Sequence, residues 1–177
     1  MENKDNGHPV SRRAFLKISG GVAAGVGTLG MGNVHAADAK SHPGNVTLPY
    51  PNKIVAKASA LKENVPVSFT YPDDQSPCAL IKMGHPVPGG VGPQDDIVAY
   101  SSMCTHMGCP LVYDEPTRTF RCGCHYSVFD AELMGQMVCG QATENLPPVA
   151  LKFDAKTGEV SAVAIQGLMY GRQSNIL

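Results

Sequence analysis

Two short loops near the middle of the chain constrain it more than any other feature of the sequence. Residues 104–127 read CTHMGCPLVYDEPTRTFRCGCHYS, which places Cys104 and His106 in one loop and Cys122 and His125 in another. Fifteen residues separate His106 from Cys122. Two thiolates and two imidazoles, in a C-x-H and C-x-x-H pair, form a ligand set able to hold a soft or borderline metal.

The residues around these loops read as β structure. The chain has 177 residues, 14 prolines, 19 glycines and no tryptophan, a balance that suits a β-rich, loop-rich domain. Short apolar-rich runs at 53–61, 65–71, 78–83 and 97–101 have strand length and are too short for ordinary helices. The breaker-rich HPVPGGVGPQDD at 85–96 reads as a loop. Residues 149–153 and 160–165 flank DAKTGE and read as a hairpin, with Gly158 supplying the positive φ of a bulged turn. No stretch keeps a helical period. The expected fold is all-β, an antiparallel sandwich or barrel over 53–177 with the metal loops inserted between strands. The tail GLMYGRQSNIL suits packing on its own domain or on a partner subunit.

The N-terminus reads as an address. SRRAFLK places Arg12 and Arg13 ahead of a Gly- and Ala-rich apolar run that ends near Val34-His35-Ala36. This is the layout of a cleavable export signal, and the paired arginines resemble the twin-arginine type. Residues 1–36 are therefore expected to direct export to the periplasm, with cleavage preferred over retention as a membrane anchor. Residues 37–52 are polar and Pro-rich and read as an extended lead-in. The net charge of −1 argues against a general nucleic-acid surface.

A structural zinc site also uses two cysteines and two histidines. Three features favour a two-iron cluster instead. Each loop offers one Cys and one His, so each can supply one ligand to each iron. Each loop carries a further cysteine, Cys109 or Cys124. Ser127 follows the second loop, where a hydroxyl can tune a cluster sulfur. CTHMGC and CGCHYS resemble the two boxes of the Rieske 2Fe–2S family. The resemblance implies one Rieske-type cluster, with Cys104 and Cys122 on the inner iron and His106 and His125 on the outer one. It further implies a Cys109–Cys124 disulfide and a hydrogen-bonding role for Ser127. Neutral imidazoles leave the cluster less negative than four thiolates would, which raises its potential.

Departures from the family pattern refine this reading. Gly123 stands where quinol-oxidising relatives have proline, and Tyr126 where they have glycine. Phe129 replaces a tyrosine whose hydroxyl bonds a ligand sulfur in high-potential relatives, and a phenyl ring cannot donate that bond. A positive potential is expected, below those relatives and above dioxygenase ferredoxins. Cys78 and Cys139 cannot be paired from sequence, and the unpaired reading is preferred. His85 has no partner at ligand spacing.

No second metal set, nucleotide motif or nucleophile–base pair is present, so no catalytic residue is expected and function depends on partners. From Arg12 onward the chain resembles the small subunits of arsenite oxidases. That implies a large catalytic subunit with a molybdopterin centre and a 3Fe–4S cluster, and a soluble cytochrome c or blue-copper protein as acceptor. The alternative is the Rieske subunit of a quinol–cytochrome c oxidoreductase. The export signal and the extra cysteines disfavour a cytosolic ferredoxin or oxygenase component.

Overall fold

Ten short strands and a single 3-10 turn account for the regular structure in the computed structural model, which describes residues 50–176. The Arg12–Arg13 pair, the apolar run behind it and most of the lead-in lie outside the described residues. All strand pairs within the sheets are antiparallel, so the expected all-β class holds. Among the described residues no helix is long and apolar enough to cross a membrane.

Three sheets divide the work. Strands β1 (Lys53–Lys57), β10 (Glu159–Ile165) and β9 (Val149–Asp154) form the first, in the order β1-β10-β9. Strands β2 (Val67–Thr70), β3 (Pro77–Lys82) and β4 (Ile97–Ser101) form the second, with β3 central. Strands β5 (Leu111–Asp114), β6 (Thr119–Cys122), β7 (Val128–Asp130) and β8 (Gln136–Cys139) form a four-stranded meander that carries the metal loops.

The second sheet is buried on both faces, which explains why β4 reads IVAYS with every residue buried. Alternate side chains point to opposite faces of a strand. Leu80, Ile97 and Ala99 enter a base core with Val149, Val160, Ala162 and Met169. Ala79, Ile81, Val98 and Tyr100 enter a second core with Phe120, Phe129, Leu146 and the two ligand cysteines. The metal loops thus rest on a core that shares a sheet with the base.

Two expected strands are shorter than their apolar runs. The first stops at Lys57 because Ala58–Ala60 tightens into a 3-10 turn, and Pro66, lacking an N–H, precedes β2. The hairpin at 154–159 forms as expected: Gly158 has φ +71° and its N–H reaches Asp154 O at 2.8 Å. The strands β5 to β8 were not legible as strands. The turn between β5 and β6 repeats the hairpin's pattern, with Asp114, Thr117 and Arg118 in the places of Asp154, Thr157 and Gly158. Arg118 accepts φ +53° there without being glycine.

Candidate metal centre

Both ligand loops are built on one backbone skeleton. In the first, Cys104 N–H donates to Cys109 O at 2.8 Å and Gly108 N–H donates to Cys104 O at 2.8 Å. In the second, Cys122 N–H donates to Ser127 O at 2.9 Å and Tyr126 N–H donates to Cys122 O at 3.1 Å. The fourth residue after each cysteine closes the turn with a positive φ, +71° at Gly108 and +61° at Tyr126. Glycine takes that conformation freely. Tyrosine pays for it, since Cβ crowds the following carbonyl by roughly 1–2 kcal/mol.

The loops bring the four candidate ligands together in two pairs, Cys104 beside Cys122 and His106 beside His125. Cys104 and Cys122 are buried at 0% and 2% exposure. The ring centroids of His106 and His125 lie 4.7 Å apart at an interplanar angle of 89°. His106 Nδ1 is buried without a hydrogen-bond partner. A buried polar atom without a partner is costly unless something binds it. Burial pushes the Cys104 thiol up, opposed by the N–H groups of His106 and Met107. At Cys122 burial pushes the same way, but the N–H groups of His125 and Cys124 and the bond with Cys104 prevail and hold that thiol below its ordinary range. Amides directed at two adjacent thiols, and a neighbouring pair of imidazoles on the same two loops, fit a cluster that needs thiolate on one side and neutral nitrogen on the other.

Cys109 and Cys124 are joined, with Cα atoms 6.6 Å apart, within the usual span for a disulfide. Their sulfurs lie within 4.8 Å of Cys122 Sγ. Because two of those three sulfurs are bonded to each other, the trio marks the disulfide packed against a ligand and not a separate metal site. Cys78 and Cys139 are free, the first buried and the second exposed. The Cys78 thiol donates toward Tyr71 O and Ser76 O, both at 3.6 Å, and burial lifts its pKa to about 12. His85, unassigned from sequence, pairs with Glu132 at 3.1 Å.

Ser127 is fully buried, and its Oγ accepts the N–H groups of Gln141 at 3.1 Å and Ala142 at 3.0 Å. Those two bonds occupy the lone pairs and leave the hydroxyl proton to donate. They also tie the covering loop, residues 140–148 between β8 and β9, to the second ligand loop. Gly140 makes this possible: its φ is +104°, and a Cβ there would fall 2.3 Å from Ser127 Cα. Thr105 Oγ1 holds the same loop from the other side by donating to Glu144 O at 2.8 Å. Gly140 and Thr105 were not singled out from sequence. A glycine directly after Cys139 was the one available signal.

Phe129 is fully buried in β7 and lies opposite Phe120 and Met137. Neither tyrosine of the neighbouring core takes over a hydroxyl role at the cluster. Tyr100 Oη donates to Ala131 O at 2.9 Å, and Tyr113 Oη donates to Asn64 Oδ1 at 2.7 Å. On the outer surface each ligand histidine is followed by an exposed apolar residue, Met107 at 58% and Tyr126 at 78%.

The sequence matches the Rieske [2Fe-2S] domain family over residues 52–162. It is 37% identical to iodate reductase subunit IdrB of Denitromonas iodatirespirans over 94% of this chain and 86% of that protein. It is 41% identical to the cytochrome bc1 complex Rieske iron-sulfur subunit of Corynebacterium diphtheriae, over only 38% of this chain and 17% of that one. The fold is similar to the soluble domain of Rieske protein II of Sulfolobus acidocaldarius, with a TM-score of 0.62, 25% identity and coverage of 70% of this chain and 82% of that one. Two braced loops of candidate ligands and a family match across most of the chain lead to one conclusion: the protein belongs to the Rieske [2Fe–2S] family.

Proposed function

We propose that this chain is the exported electron-transfer subunit of a molybdenum oxidoreductase, working beside a large catalytic subunit with a molybdopterin centre and a 3Fe–4S cluster. The bound 2Fe–2S cluster supplies one-electron chemistry at a potential raised by its two imidazole ligands. Cys104 and Cys122 would hold its buried side. His106 and His125 would hold the side nearer the surface, where His125 is exposed and would offer an electron a short path. Phe129 withholds a hydroxyl from the site, which supports a middle potential; Phe129→Tyr is expected to raise it.

The observation that carries this reading is the extent of kinship. Likeness to an iodate reductase subunit covers nearly the whole chain, whereas likeness to the quinol-oxidising subunit is confined to a fraction of it. Tyr126, Gly123 and Phe129 also depart from the quinol-oxidising pattern. For the substrate we propose arsenite, oxidised on the large subunit. Electrons then leave through this domain to a soluble cytochrome c or a blue-copper protein. This rests on the resemblance of RRAFLK, CTHMGCPLVYD and GLMYGRQSNIL to arsenite oxidase small subunits. The relative named an iodate reductase favours a second reading, in which electrons flow inward and iodate is reduced. Export by the twin-arginine route would carry the partner already folded, and the domain would touch the membrane only if residues 1–36 are retained.

Purification of the native complex tests all of this. A molybdenum-containing partner is expected, with arsenite-dependent reduction of cytochrome c that collapses in His125→Ala while activity with dyes that collect electrons upstream survives. Iodate reduction without arsenite oxidation selects the second reading, and purification with no molybdenum partner defeats both.

A further inference from the structure

The C-terminal segment leaves β10 as a clipped loop. Gly167 at φ +84° and Gly171 at +77° turn the chain on either side of Leu168, Met169 and Tyr170. Asn175 closes it: Oδ1 accepts from Met169 N at 2.9 Å, and Nδ2 donates to Gly167 O at 2.7 Å and to Tyr50 Oη at 3.1 Å. Below, Met169 is buried in the base core at 1% exposure. Beyond the tip, Arg172 grips Asp73 through two parallel bonds, Nη1 to Oδ2 at 2.6 Å and Nη2 to Oδ1 at 2.9 Å. Such paired guanidinium–carboxylate contacts fix orientation as well as distance.

The tip reaches the metal centre. A Cβ built on Gly108 would lie 2.5 Å from Cδ1 and 2.7 Å from Cε1 of Tyr170, so the tyrosine ring occupies the space that any larger residue would need. Gly108 is the turn residue whose N–H closes the first ligand loop onto Cys104, two positions after His106. The C-terminal tip makes no such contact at Gly123 of the second loop, where a Cβ would meet nothing within 4 Å.

We infer that Tyr170 is a positioning residue for the metal centre: anchored to the base through Met169, Asn175 and Arg172–Asp73, it presses on Gly108 and fixes the first ligand loop, and with it His106, against the domain. The contact is made by the Cδ1–Cε1 side of the ring, and the Tyr170 hydroxyl has no hydrogen-bond partner among the described residues. Phenylalanine therefore suffices and alanine does not. The inference depends on the Rieske assignment only where the cluster spectrum is read, since loop closure is measured separately.

The test is amide hydrogen exchange on the full chain with its partner, together with the electron paramagnetic resonance spectrum of the reduced cluster. In Tyr170→Ala, exchange at residues 104–109 is expected to accelerate about tenfold by added local opening. Residues 119–127 and 149–165 should keep their rates. The cluster spectrum should change in Tyr170→Ala and return in Tyr170→Phe. Unchanged exchange at 104–109, acceleration shared equally by all three segments, or failure of Tyr170→Phe to restore the spectrum would each overturn the inference. Should Tyr170→Ala not fold, Arg172→Gln releases the same segment at its far anchor. It should give the same local pattern at smaller size, and a flat response there overturns the inference equally.

Discussion

The two ligand loops share a hydrogen-bond skeleton and differ in almost everything that touches it. The first keeps glycine at its left-handed position, lies under the Tyr170 ring and encloses one nitrogen of His106. The second places a tyrosine at that position, leaves His125 and Tyr126 exposed, and is secured from beneath by Ser127 and the covering loop. One loop is fixed and sheltered, and the other is strained and presented. In a domain that passes single electrons, this asymmetry gives the cluster a protected side and an outward-facing ligand.

The strongest way to break the second loop is through Gly140. Gly140→Ala forces a Cβ onto the Ser127 backbone at a φ few L-residues accept, and should cost more than about 4 kcal/mol in denaturant unfolding. The counterpart inside the loop, Gly123→Ala, faces open space and should stay within about 0.5 kcal/mol.

Next in size is the link between the loops. Cys109→Ser with Cys124→Ser opens a cross-link spanning 15 residues and should lower stability by about 3 kcal/mol. Thermal melting reads this directly.

Exchanging the turn residue sharpens the contrast. Tyr126→Gly relieves the left-handed tyrosine and, after the extra entropy of a glycine in the unfolded chain, should raise stability by about 0.5–1 kcal/mol. A loss would mean that the exposed ring makes a stabilising contact within the domain.

The smallest effect concerns the C-terminal tip. The Arg172 guanidinium, aided by Ser76 and the Gln75 amide, holds the Asp73 carboxyl below its ordinary range. A depressed native pKa gives stability that is fully present above the ordinary aspartate value of about 4. It is lost as pH falls through the lower native value. Because Asp73 is partly exposed the contribution is small. Protection at 104–109, taken relative to the intrinsic amide exchange rate at each pH, should fall on acidification below that point, and Asp73→Asn should remove the dependence.

The sequence carried the chemistry of this site further than its architecture. Cys104, His106, Cys122 and His125 stood out as candidate ligands because ligand chemistry restricts residue type, and loop spacing survives in the chain as written; the structure sets them in two adjacent pairs. Strands β3, β4, β9 and β10 were legible because long apolar runs must be buried. Strands such as β6 (TFRC) and β7 (VFD) were not, since segments of three or four residues owe their state to their neighbours. Tyr126 was read as a departure from glycine, but its left-handed backbone shows that the turn is kept at a cost. Tyr170 and Gly108 lie in separate parts of the chain, and no local pattern joins a C-terminal aromatic to a ligand loop. Arg118 hid a hairpin turn for a similar reason: it takes the left-handed backbone of Gly158 without being glycine, its N–H reaching Glu115 O at 3.4 Å.

The central claim is a cluster bound by two imidazoles as well as two thiolates. Pulsed electron paramagnetic resonance on the reduced native protein, labelled with 15N-histidine, tests it most directly. The account requires strong coupling to two imidazole nitrogens, with one lost in His106→Ser and the other in His125→Ser. A cluster without directly bound nitrogen, or a protein holding zinc in place of iron, would contradict it.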